Sequence, residues 1–121
     1  MPTFNEPIHP AEFLLSEANG DRSRENATVL ANQNLRAAAV VGRITASGLV
    51  RELQPAAADG SQNAVGIMYA AVNAAGANAR GVIVARDAEV NAALLQWPAS
   101  ITAPQRTAAI AQLAALGIIV R

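Results

Sequence analysis

The chain has 121 residues, enough for one domain with one core, and a formal net charge of zero; its nine cations are all arginine and it has no cysteine. A neutral chain without a basic run lacks the phosphate-neutralising surface of a nucleic-acid binder and the polybasic patch that draws proteins to anionic membranes. Without thiols, disulfides and cysteine nucleophiles are excluded, and with His9 as the only histidine a structural zinc site is not expected.

Residues 1–11 carry Pro2, Pro7 and Pro10 and show no periodicity, which predicts an extended N-terminal arm ahead of a single domain over 12–121. Phe4 and Ile8 stand at an even offset and would share one face of that arm if it became a strand. The start of the chain has two acids and three prolines where a secretion signal would have a basic start and an apolar core. No run reaches the length of a membrane span. A soluble product made in the bacterial cytoplasm is expected.

From residue 12 to about 97 the pattern predicts short strands separated by turn chemistry. Glu12–Glu17 is the first, followed by a polar loop from Ala18 to Glu25 with an Asn19-Gly20 turn signal. Thr28–Ala31, Ala38–Thr45, Leu49–Leu53, Ala64–Val72 and Arg80–Arg86 follow, with Ser47-Gly48, Asp59-Gly60 and Ala75–Asn78 between them. The β-branched runs Val40-Val41 and Val82-Ile83-Val84 favour strand over helix. Thr102-Ala103-Pro104-Gln105 predicts a helix start: Thr102 can cap, Gln105 can complete a capping box, and Pro104 falls in the first turn. The helix is expected over about 103–116, with Ile110 and Leu113 on one face and Gly117 ending it. Ile118–Val120 then reads as a closing strand. The whole is mainly β (α+β) with one C-terminal helix.

The residues offer no convincing catalytic or cofactor-binding set. Gly42–Gly48 has the wrong spacing for a phosphate-binding loop, and the chain lacks the lysine such a loop needs, so Gly42 and Gly48 read as a bulge and a turn. Asp87 and Glu89, two apart on a strand, could in principle do acid–base work; beside Arg86 they read as a solvated strand end. Ser16, Ser23 and Ser47 lack a nucleophile elbow, and the only histidine, His9, lies in the arm. The loop from Glu17 to Glu25 lacks the alternating ligands of a calcium loop. Trp97-Pro98 holds the only tryptophan, just before the helix. It is either a core anchor or a subunit-interface residue, since tryptophan is enriched at association hot spots.

Several stretches, in order, are similar to one family: Ser16–Gly20, Arg22–Asn26 with Thr28-Val29, Gln33–Leu35, Gly42–Gly48, Pro55–Ala57, Asp59–Gln62, Ala64–Ile67, Arg86–Asn91, Trp97-Pro98 and Ala114–Val120. Together they resemble the bacteriophage lambda head decoration protein D family, from about residue 12 to the C-terminus. Departures fall at Ala31-Asn32 and Ala37–Ala39, where relatives tend to carry glycine or a polar residue, and the arm is little like that of lambda's own protein. The resemblance implies a small β-clip-like or barrel-like decoration fold. It also implies a homotrimer at three-fold sites on the outer surface of the expanded head, the major capsid protein as partner, and stabilisation of the virion against packaged DNA. No enzyme activity, cofactor, metal, nucleic acid, membrane or small-molecule substrate is expected. Thr3, Phe4, Asn5, Glu6 and Ile8 are the expected capsid-binding residues, and Trp97 and Pro98 the trimer interface or core anchor. A tail or head-completion component, or a small ligand-binding β domain, are the other classes such a chain could serve.

Overall fold

The computed structural model describes residues 8–121. Its strands are β1 (Leu14–Glu17), β2 (Arg24–Val29), β3 (Asn34–Leu35), β4 (Val40–Arg43), β5 (Val50–Glu52), β6 (Ala64–Met68), β7 (Val72–Asn73), β8 (Ala79–Val84), β9 (Ala88–Val90) and β10 (Ile118–Val120), with one helix, α1 (Ala103–Ala115). Five strands close a barrel in the order β2-β5-β4-β6-β8, β1-β9-β10 form a three-stranded sheet, and β3 pairs β7. The mainly β architecture with one C-terminal helix is the one the sequence predicts.

Alternation along the strands makes the barrel wall apolar on both faces. Val41, Met68 and Ile83 belong to one buried cluster, together with Val29 and Val50, whereas their neighbours Val40, Ile67 and Val84 belong to another. The second cluster also contains Ala109 and Leu113 of α1 and Val90 and Ile118 of the three-stranded sheet, so it lies outside the barrel, and the first fills the lumen. Phe13 and Leu53 complete the outer core. Because both faces are buried, these strands read as continuous apolar runs.

The capping box forms as predicted: Gln105 N–H donates to the Thr102 hydroxyl at 3.3 Å and Thr102 N–H to Gln105 Oε1 at 2.9 Å. Gly117, at φ +86°, reverses the chain into β10. The buried stripe of α1 is Ala109 and Leu113, with Ile110 only half-buried. Gly42 sits at a register shift between β4 and β6, and Gly48 takes φ +74° in the β4–β5 turn, the two roles read from the sequence.

Most strands are shorter than or shifted from the expected ones, and Glu12 and Phe13, expected in the first strand, lie in the turn before it. Arg24 and Glu25, expected in the polar loop, begin β2, because pairing with Val84 and Ile83 extends the ladder to the loop's edge. Ala64–Val72 divides into β6 and β7, since β6 pairs β4 and β8 while Val72 pairs Leu35 of β3. The two-residue β3 has no alternation to detect. Asp87 and Glu89, read as the end of the preceding strand, instead belong to a turn at Asp87 (φ 51°) and a separate strand, β9, that begins directly after it.

Two other positive-φ residues are Asn32 (68°) and Ala38 (71°). A left-handed backbone suits glycine or asparagine and strains alanine. Ala38 is held there by burial and by paired backbone groups: its N–H donates to the Met68 carbonyl at 2.9 Å and its carbonyl accepts from Gln96 at 2.9 Å.

Candidate functional site

The expected arm residues Thr3, Phe4, Asn5 and Glu6 lie outside the described residues. The described chain begins just after them, at Ile8. Pro10 to Phe13 form a turn, with Ala11 at φ 62°. Glu12 N–H donates to the His9 carbonyl at 3.1 Å, and His9 N–H to the Glu12 carboxylate at 3.0 Å. Ala11 N–H donates to the Tyr69 carbonyl at 3.0 Å, and Phe13 is fully buried. Ile8 is half-buried against the outer core. Residues 8–13 are thus held against the body beside Tyr69, with Ile8 packed on the outer core.

Trp97 is half-buried and Pro98 buried; Trp97 packs on the outer core, and the Arg106 guanidinium lies over its ring at 5.5 Å from the centroid. The ring thus links the segment before α1 to the helix's first turns. Trp97 and Ile8 belong to the same packed cluster, so the structure connects two sequence-predicted sites through one core.

Asp87 and Glu89 do not form a carboxylate pair. Asp87 precedes β9 and lies 3.5 Å from Arg22, while Glu89 on β9 pairs Arg121 at 3.0 Å. Ser23, fully buried, accepts from Ala18 N–H and donates to the Asp87 carbonyl, each at 2.9 Å; both capacities of its hydroxyl are spent on holding a loop. Arg24 grips Glu17 through two nitrogens and lies 4.3 Å from the Tyr69 ring centroid, and Glu17's hydrogen bonds raise its guanidinium above its ordinary value. Asp59 accepts from both the N–H and the hydroxyl of Ser61, and these bonds lower its carboxyl below the ordinary range. These are structural links.

Among the described residues no three acidic or histidine side chains gather as a metal site, and no helix is long and apolar enough to cross a membrane. The surface instead offers association: Leu15, Leu116 and Ile119 are large apolar side chains with 54%, 39% and 46% of their area exposed. Leu15 and Ile119 lie on β1 and β10, the two outer strands of the three-stranded sheet.

The family model for the bacteriophage lambda head decoration protein D matches residues 3–118. The chain belongs to that family. The match begins inside the arm, so it reaches further toward the N-terminus than the resemblance read residue by residue, which starts near residue 12. Among curated proteins none matches the chain. The head decoration family is a family of structural capsid proteins, and membership implies association with a phage capsid and a place in the virion. The signals that sequence reasoning missed are the β9 pairing that buries Ala88 and Val90 and the exposed apolar residues of the two outer strands.

Proposed function

We propose that this decoration protein binds as a homotrimer at three-fold positions on the outside of the expanded head and holds the shell against the pressure of packaged DNA. The observation that carries this reading is the family match over residues 3–118. Residues 1–11 act as a capsid-binding arm on a domain formed by 12–121. Thr3, Phe4, Asn5 and Glu6 add as a short strand to a sheet edge of the major capsid protein, where main-chain hydrogen bonds supply affinity and pockets for Phe4 and Ile8 supply specificity. Pro7 lacks a donor and ends the pairing. Trp97 and Pro98 act as core anchors: the burial of Pro98 and the packing of Trp97 support that role over a trimer interface.

The mechanism is multivalent clamping. Each trimer bridges neighbouring capsid subunits, so three modest contacts combine through effective concentration. The exposed Leu15, Leu116 and Ile119 support a surface with apolar area to bury on assembly. The charge balance of zero supports a role without DNA contact. DNA-filled heads with and without the protein, challenged by heating, test the reading. Decorated heads are expected to retain DNA at temperatures that burst bare ones, and equal rupture would overturn it.

A further inference from the structure

The barrel closes between β2 and β5 through a short contact. β2 pairs β8 along its full length but meets β5 at one register pair, Val29 with Val50, after which Leu30 N–H donates to the Val50 carbonyl at 2.8 Å. The direction of the free backbone groups follows from the ladder. Val82 gives its carbonyl to Tyr69 N–H at 3.0 Å, on the side of β8 away from β2. Its register partner Asn26 is therefore a non-hydrogen-bonded pair, and the N–H and C=O of Asn26 point away from β8, as does the N–H of Thr28 two residues on. They face a cleft of about 370 Å³ whose lining includes Arg43 and Gly48 of the β4–β5 hairpin and Arg80 of β8.

Two further facts mark this cleft. Among the described residues four of the nine arginines, 22, 24, 86 and 121, form ion pairs with carboxylates, whereas Arg43 and Arg80 of this cleft, like Arg36, Arg51 and Arg106 elsewhere, do not. No acidic residue lines the cleft. An open strand edge is a template for an added strand, and proteins usually block it. Among the described residues it is left open between Asn26 and Thr28, and two of the residues that line the cleft, Arg43 and Arg80, carry the side chain best suited to grip a carboxylate.

We propose that this cleft is a second docking site, in which β2 takes up a short extended segment of the capsid subunit as an added strand, with an Asp or Glu of that segment held between Arg43 and Arg80. The partner's identity rests on the decoration reading; the chemistry of the segment, extended and acidic, rests on the free edge and the unpaired arginines. The site is distinct from the N-terminal arm: the arm would carry this chain's strand to the shell, and the cleft would receive a strand from it.

Binding of purified protein to expanded undecorated shells provides the test, with wild type, the double variant Arg43→Gln/Arg80→Gln and its counterpart Arg43→Lys/Arg80→Lys. The glutamine variant is expected to keep its thermal stability and lose at least tenfold in shell affinity at low salt, with partial recovery in the lysine variant. Amide exchange on the wild type supplies a readout that needs no substitution: the Asn26 and Thr28 amides are expected to slow at least tenfold on the shell. A folded glutamine variant with full affinity, or unchanged exchange at both amides, would overturn the proposal while leaving decoration intact. A wild type that fails to bind shells would overturn the decoration reading and this proposal with it. A glutamine variant altered in self-association but not in shell binding would make the cleft a subunit contact and overturn the proposal as well.

Discussion

Asp59 shows how one side chain's hydrogen bonds reach the stability of a loop. Its carboxylate accepts from Ser61 twice, and those bonds hold its pKa below the ordinary carboxylate value of about 4. A group with a depressed folded pKa contributes stability that is present above its unfolded pKa and lost as pH falls through the folded one. Ser61→Ala removes the hydroxyl donor, so the Asp59 pKa is expected to rise toward its ordinary value and the loss of stability below about pH 4 to become shallower. Carboxyl titration by NMR with acid unfolding checks this; an unmoved Asp59 pKa would assign the shift to another cause. Trp97 makes a larger test of packing. It is half-buried, so Trp97→Ala should cost about 2–4 kcal/mol, at or below the range for a fully buried tryptophan. Urea unfolding measures it. A change below about 0.5 kcal/mol with weakened self-association would instead place the ring at a subunit interface.

The elements differ in how far they could be read from the chain. α1 was legible almost to the residue because its signals are local: a capping threonine, a glutamine three residues on and a glycine past the end. The barrel strands were legible as strands, yet their grouping was not, since an apolar run does not say which of its two buried faces meets the lumen and which meets the helix. β9 and the short pair β3–β7 exist only through partners far along the chain, and no local pattern marks them. The sites followed the same rule: the arm and Trp97 stand out by composition, while the cleft beside β2 depends on which backbone groups the ladder leaves unpaired. Gly42 belongs to this scale, because a Cβ there would collide with the Ser61 carbonyl, which the loop packs against β4. Gly42→Ala is expected to destabilise by about 1–3 kcal/mol through overpacking. Thermal unfolding at neutral pH checks it, and a neutral substitution would show that the loop after β5 can move aside.

At the scale of the whole molecule, two cores share one barrel wall, and residues 8–13 are fixed to that wall through Ala11, Ile8 and Phe13. In the proposed function this leaves binding to the residues ahead of Ile8 and folding to the rest. Deleting residues 1–7 removes the arm ahead of Ile8, so the melting temperature is expected to stay within about 2 °C while shell affinity falls at least tenfold. Deleting 1–11 also removes the Ala11 hydrogen bond and Ile8 and should lower the melting temperature. Shell binding retained in full by the shorter deletion would remove the arm from the account. Decoration itself is put to the test by imaging purified protein on expanded, undecorated phage shells. Trimeric density on the outer surface at the three-fold positions is expected; shells that stay bare, or density confined to the portal or tail, would rule decoration out.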